Sequence, residues 1–484
     1  MNIVPFMSNS VGNLAWKADT ERPNIVLMLA DNIGFGDLGC YGSGGDLRGM
    51  PTPNLDDLAD KSLMLTQFFV EPGCTPSRAG LMTGRYSVRS GLNSIIVAGT
   101  PSTLQAGELT LAEICKENGY STCMVGKWHL GEEEQSIPTS KGFDSYRVGI
   151  LETTDATAYP MTMRRSGMTE EQIEAAQAYI WESKDDGSLE AVRPYDLEYR
   201  RHIESDIADA ATSFIAEKAA GDDPFFLYVG WSHVHYPEGA NPEFMGRSSS
   251  GPYGDMLMEH DHRVGQVVAA IEAAGVLDNT IIIYLSDNGP VQQQVISNDF
   301  NGSSPGPFRG EVGDALEGSL RVPGMVSWPG KIPVRKSNEM VAIHDFVPTI
   351  ASMLGTELPQ DRPYDGVDQW DFFLGNSESS NREHLITFLE GEIAAVRWKH
   401  WRVYPKQIVE SQTNPSSLGV GAYRAEGMGY PALFNIERDP HEQFNVVGVC
   451  AWVLGPYMKI VGDYVTSLQE YPNPPTFSMT SFPT

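Results

Sequence analysis

The sequence predicts an α/β fold: a mainly parallel central sheet flanked by helices, with a smaller C-terminal antiparallel sheet plus a helix. Three observations predict it. Short apolar runs alternate with helical patterns up to about residue 375. Four of those runs end in acidic, amide, lysine or histidine side chains. Beyond residue 376 the pattern changes to strand-like runs with no helix between them.

The elements follow in order. NIVLMLA (24–30) runs into Asp31 and Asn32. The amphipathic TLAEICKENGY leads to STCMVG (121–126), which runs into Lys127 and His129. PFFLYVGW (224–231) runs into His233 and His235. The helical MLMEHDHRVGQVVAAIEAAG, with Gly275 as its C′ cap, leads to TIIIYLS (280–286), which runs into Asp287 and Asn288. Ligands of open α/β sheets gather outside the carboxyl ends of the strands, so the four strand ends are expected to converge on one crevice. Residues 151–200 break the alternation and read as an insertion near the pocket. The expected division is a catalytic domain over 1–375 and a smaller α+β subdomain over 376–484. In the latter HLITFLE, IAAVRWKHWRVYP and PALFNIE are the strands, and VLGPYMKIVGDYVTSLQEY holds the last helix.

A chain of 484 residues can bury a large core, and 41% hydrophobic with 20% charged residues is a globular composition. Lys and Arg number 34 against 63 Asp and Glu, a formal charge of -29, which argues against nucleic-acid and anionic-membrane partners. Screening acts over ~8 Å at physiological salt, so a locally basic pocket can still accept an anion. Cys40, Cys74, Cys115, Cys123 and Cys450 are odd in number and lack C-x-x-C spacing, which suggests neither a disulfide framework nor a zinc ribbon. The N-terminal stretch lacks the layout of a signal peptide, and no run approaches the ~20 apolar residues of a spanning helix. The expected location is cytoplasmic, or periplasmic or secreted if a leader has been removed.

Asp31, Asn32, Asp287 and Asn288 supply only hard oxygen atoms, the ligand type that suits Ca²⁺ or Mg²⁺. Asp-Asn after a strand is also ordinary turn chemistry. Two such pairs, each after a strongly apolar strand, favour the metal. His233-Val-His235 places two imidazoles on one face of an extended segment; without a third soft ligand, one is expected as general acid or base and the other packed. Glu259-His260-Asp261-His262 reads as a solvated helix face. In EPGCTPSRAGLMTGRY, Cys74 lies in a turn-like context ahead of an apolar helical pattern, which suits a reactive thiol or something made from one. A phosphate-loop thiolate would need an arginine six positions on, where Gly80 stands; Arg78 is only four on.

CTPSRAGLMTGR resembles the signature of type I sulfatases of the alkaline phosphatase superfamily. It is joined, in the family's order, by PNIVLMLADNIGFGDLGCYG, VGKWHLG, FFLYVGWSHVHYP, LSDNG and EGSLRVPGMVSWPGKI, over roughly residues 22–450. The resemblance implies that a formylglycine-generating enzyme oxidises Cys74 to Cα-formylglycine during maturation. It implies an arylsulfatase-like enzyme that cleaves a small-molecule or carbohydrate sulfate ester. Asp31, Asn32, Asp287, Asn288 and residue 74 would hold Ca²⁺ (or Mg²⁺). Arg78 and Lys127 would stabilise the hydrate and the sulfuryl oxygens, His129 would assist elimination, and His235 would protonate the leaving oxygen, with His233 as second choice.

The sequence departs from the family at two places. Asn32 stands where a second aspartate is usual, and Val312, in PFRGEVGDALEGS, stands where a lysine is usual. One change removes an anion and the other a cation, so the formal charge of the site is conserved. Arg309 is the nearest candidate to replace the lysine. A phosphomonoester or phosphonate monoester hydrolase of the same superfamily, and an unmodified idle relative, are the alternatives. Pocket walls are expected from residues 95–105, 151–200, 290–308 and 405–430, with Tyr159, Trp181, Tyr195 and Trp231 as aromatic candidates that could equally be core.

Overall fold

The computed structural model describes residues 22–42, 44–97, 102–291, 302–409, 423–425 and 430–475. The parts of the expected pocket walls at 98–101, 292–301, 410–422 and 426–429 therefore lie outside the described residues.

Ten strands form the central sheet: β1 Asn24–Ala30, β2 Leu63–Phe69, β3 Ser121–Lys127, β4 Ser145–Ile150, β5 Tyr179–Ser183, β6 Leu189–Pro194, β7 Phe225–Gly230, β8 Thr280–Ser286, β9 Arg321–Ser327 and β10 Arg335–Ala342. Their order is β10-β2-β9-β8-β1-β7-β3-β4-β5-β6. The centre, β8-β1-β7-β3-β4, is parallel, with Leu27 facing both Tyr228 and Ile283 across the ladders. β9 inserts antiparallel between β8 and β2, and the β5–β6 hairpin, supplied by residues 151–200, extends the far edge.

The central strands read as unbroken apolar runs because both of their faces are covered. Along β1, Val26, Met28 and Ala30 enter one core layer, while Ile25, Leu27 and Leu29 enter the other. The helices Ile203–Ala219 and Gly251–Ala273 pack in the first layer. Gly275 follows the second helix with φ 72°, the left-handed conformation expected of its C′ cap.

The smaller sheet comprises β11 His384–Leu389, β12 Glu392–Trp398 and β13 Trp401–Tyr404, joined by β16 Ala432–Asn435; β14 Gln407–Val409 and β15 Tyr423–Ala425 pair separately. All of its pairings are antiparallel. Its core holds Leu385, Val396 and Val403 together with Phe69, Tyr86 and Leu320 of the main body and Tyr457 and Ile460 of the last helix, Leu454–Glu470. Glu317 ties the two sheets. Its carboxylate lies 3.4 Å from Arg397 of β12, 3.1 Å from Arg402 of β13 and 3.5 Å from Arg321 of β9. No described helix is long and apolar enough to cross a membrane.

Candidate active site

β8, β1, β7 and β3 are neighbours, so their carboxyl ends deliver Asp287 and Asn288, Asp31 and Asn32, His235, and Lys127 and His129 to one place. Backbone hydrogen bonds tie the loops together. Asp31 N donates to His233 O at 3.0 Å, Val234 N to Asp31 O at 2.7 Å, and Asp287 N to Ala30 O at 3.1 Å. Asn32 and His129 turn through left-handed backbone, φ 65° and 57°; asparagine is among the residues that enter this region most readily.

Cys74 is the first residue of the helix Cys74–Thr83 and is 2% exposed. Its Sγ lies 3.4 Å from Asp31 Oδ1 and 4.0 Å from Asn32 Oδ1. Burial, then the Asp31 carboxylate, push the thiol well above its ordinary range. Arg78, one turn further along the helix, donates to Asp287 Oδ2 through Nε at 3.1 Å and Nη2 at 2.8 Å, and to Lys127 O at 2.9 Å. Lys127 Nζ reaches Asp31 Oδ2 at 2.6 Å. Burial alone would raise the Asp31 carboxyl, but Lys127, His235 and Arg78 together hold it far below the usual carboxylate range. Burial, with the charge of Asp31, lifts Asp287 to about 6.

The two histidines after β3 and β7 present complementary nitrogens. His129 Nε2 pairs with Ile96 O at 2.8 Å, while its buried Nδ1 has no partner. Burial, then Lys127, hold this ring well below its ordinary value, so it is neutral. His235 Nδ1 pairs with Tyr236 O at 2.6 Å, which leaves Nε2 for the site. Burial lowers this ring too, against the pull of Asp31.

The oxygens of Asp31, Asn32, Asp287 and Asn288 are the donors that suit a hard divalent cation. Ligand atoms of Asp31, Cys74 and His235 lie within 4.8 Å of one another, the unmodified sulfur and the imidazole being softer donors. Asn288 Nδ2 donates to Asn32 Oδ1 at 2.6 Å, and Asn288 Oδ1 is a buried oxygen with no partner. Such an oxygen beside a carboxylate is what a cation satisfies.

The structure therefore brings together Cys74, Arg78, Lys127, His129, His235, Asp31, Asn32, Asp287 and Asn288. It does not bring His233. β7 ends at Gly230, and residues 232–235 form a turn rather than the extended segment expected from the sequence. His233 is consequently carried away from its neighbour, with Nδ1 3.9 Å from Glu259 Oε2. Arg309 has a buried Nε without a partner, and among the described residues no hydrogen bond or ion pair joins it to the site. Val312 is 3% exposed and packs with Tyr236 and Val291. Its segment is pinned between Pro72, ahead of Cys74, and Pro290, after Asn288, by bonds of 2.6 and 2.9 Å from Gly313 N and Val312 N. An apolar contact thus occupies the expected lysine position.

Glu259, His260 and Asp261 are not a solvated face, for all three are buried. Asp261 accepts from Asn54 and Leu55, Glu259 accepts from Asn241 N and Arg263, and His260 meets the Tyr284 hydroxyl at 2.9 Å. Of the aromatic candidates, Tyr195 and Trp231 are core, Tyr159 binds Asp155 at 3.1 Å, and Trp181 lines a cavity of about 540 Å³ with Glu132, Leu151 and Leu189. Reading the sequence missed Tyr236, whose hydroxyl is buried and unpartnered, though it directly follows His235.

A family model described as Sulfatase matches residues 23–356. Arylsulfatase A of Homo sapiens is 33% identical over 449 residues, covering 89% of this chain and 84% of its own length. Steryl-sulfatase of Rattus norvegicus is 31% identical over 495 residues, covering 87% of this chain and 84% of its own. The solved PsFucS1 sulfatase from Pseudoalteromonas sp. matches with a TM-score of 0.86 at 29% identity, covering 94% of this chain and 92% of that one. Strand ends, buried charge pairs and overall likeness agree, and the chain belongs to the sulfatase family, enzymes that hydrolyse sulfuric esters.

Proposed function

We propose that this sulfatase is arylsulfatase-like and works through Cys74 in its oxidised, Cα-formylglycine form, beside Ca²⁺ held by Asp31, Asn32, Asp287 and Asn288. The observation that carries the reading is the position of Cys74. It opens a helix, where an anion is favoured, 3.4 Å from Asp31 and in a pocket whose cations are Lys127 and Arg78. The oxidised residue supplies an aldehyde hydrate, one hydroxyl to attack sulfur and a second to let the sulfated adduct collapse. The cation supplies positive charge for the sulfate oxygens.

The chain's own residues do the rest. Lys127 and Arg78, both fully buried, face developing charge on the sulfuryl oxygens in a water-poor site where such contacts are strong. His129, neutral and with Nε2 occupied by Ile96 O, has Nδ1 free to accept a proton from the residue at 74. His235, with Nδ1 committed to Tyr236 O, gives its Nε2 proton to the departing oxygen. Burial works against that protonated ring, the Asp31 carboxylate opposes the burial, and a bound anionic ester would add to the pull of Asp31.

Two measurements test this. The intact mass of the peptide holding residue 74, from protein made in its native host, should be that of the aldehyde; thiol alone would end the formylglycine reading. Paired assays on nitrophenyl sulfate and nitrophenyl phosphate should favour sulfate, and a phosphate preference would move the enzyme to the phosphoesterase branch.

A further inference from the structure

The turn that carries His235 is gripped from behind by two buried ionic side chains one helical turn apart in sequence. Arg200 Nη2 donates to His235 O at 2.8 Å and Ser232 O at 3.2 Å, and Nη1 donates to Ser232 Oγ at 3.1 Å. A single oxygen of Glu204 accepts from Ser232 N at 2.9 Å, Ser232 Oγ at 2.7 Å and His233 N at 3.0 Å. His235 N closes the turn on Ser232 O at 3.1 Å. The other Glu204 oxygen lies 3.8 Å from His260 Nδ1, and His260 Nε2 meets the Tyr284 hydroxyl of β8, three residues before Asp287.

We propose that Arg200 and Glu204 are positioning residues for His235, holding its imidazole where Nε2 can protonate the leaving oxygen. The inference rests on the role given above to His235. Burying a guanidinium and a carboxylate costs several kcal/mol per ion, and well-packed apolar residues would stabilise the turn as well or better. What apolar residues could not do is fix the Ser232 and His235 carbonyls and the Ser232 and His233 amides at once. The step served is one proton transfer. As the ester S–O bond breaks, its electron pair stays on the leaving oxygen, which takes the proton from Nε2 and leaves the ring neutral. An error near 1 Å in such a donor costs ~100-fold.

Protonation matters most for a strongly basic leaving group and little for nitrophenolate, so the test compares phenyl sulfate with nitrophenyl sulfate on the mature full-length enzyme. Glu204→Ala and Arg200→Met should lose ~100-fold in kcat/KM on phenyl sulfate and less than ~5-fold on nitrophenyl sulfate. Glu204→Gln, which keeps an acceptor oxygen, should recover most of the loss. Equal losses on both esters would overturn the inference. Should those variants fail to fold, Ser232→Ala removes only the hydroxyl that joins the two; the same selectivity supports the clamp and equal losses reject it. His235→Gln, run in parallel, separates the two levels. Selective loss there with uniform loss in the clamp variants rejects the positioning role alone, while uniform loss in His235→Gln rejects both.

Discussion

Lys127 Nζ stands 2.6 Å from Asp31 Oδ2, and neither side chain has any exposed surface. Each charge is sustained by the other, with Arg78 a further 3.8 Å from the same oxygen. Lys127→Met therefore strands a buried carboxylate, at a cost of ~3–5 kcal/mol, and should lower kcat/KM about a thousandfold. A bound cation can take over part of the lysine's pairing. The loss in thermal midpoint is accordingly expected to be larger in chelator than in saturating Ca²⁺; equal losses would mean that Asp31 does not face the ion.

Asn32 and Val312 form a charge-neutral exchange against the family pattern, and their effects should couple. An unpaired charge ~4 Å away at an effective dielectric of 20 is worth ~4 kcal/mol. Asn32→Asp alone should weaken binding of the anionic ester, and Val312→Lys alone should bury an unpaired ammonium beside Tyr236 and Val291. The double variant should recover at least ~tenfold in kcat/KM over the product of the single effects. Improved turnover by Asn32→Asp alone would reject the compensation.

His233 gives a pH signature to stability. Burial drives its ring down to about 3, although Glu204 pulls the other way. It binds its proton less tightly folded than unfolded, so its contribution is complete above the ordinary value of ~6.5 and fades as pH falls from there towards 3. At ~1.4 kcal/mol per unit, wild type should lose ~2 kcal/mol from this residue between pH 6.5 and 5. His233→Gln should be spared that loss. Urea midpoints at pH 7 and pH 5 check it; a gap between the two proteins that does not change with pH would refute the assignment.

Glu317 is fully buried against Arg321, Arg397 and Arg402. Glu317→Ala leaves three guanidiniums facing one another and should cost ~3–5 kcal/mol, seen as a lower urea midpoint. Loss of cooperativity, with the smaller sheet unfolding first, is expected because this carboxylate joins β9 to β12 and β13.

The parts of the fold that place the site were legible in the sequence for a physical reason. β1, β3, β7 and β8 lie at the middle of the sheet, so their interior residues are mostly apolar, and the runs at 24–30 and 280–286 coincide with the strands. β10 (RKSNEMVA) is an edge strand that opens with five polar residues, and β9 contains Pro323 and Gly324; neither announces itself. The metal-side residues could be read because each directly follows a strand. His233 could not, since its orientation depends on a turn held by Glu204 of the helix Ile203–Ala219 and by Arg200 just ahead of it, both distant in sequence. Glu259, His260 and Asp261 were misread because helical spacing says which residues share a face, not that a second structural layer covers several faces at once.

Cys74, 2% exposed, is enclosed by pieces of chain made long after it: Lys127 from β3, the turn after β7, and Asp287 from β8. On the proposed formylglycine reading, an enzyme that oxidises residue 74 would have no route to a sulfur so enclosed. Its opportunity would lie between the emergence of residue 74 from the ribosome and the arrival of β8. A molecule that folded with its thiol intact would have missed that interval, and only unfolding would offer it another.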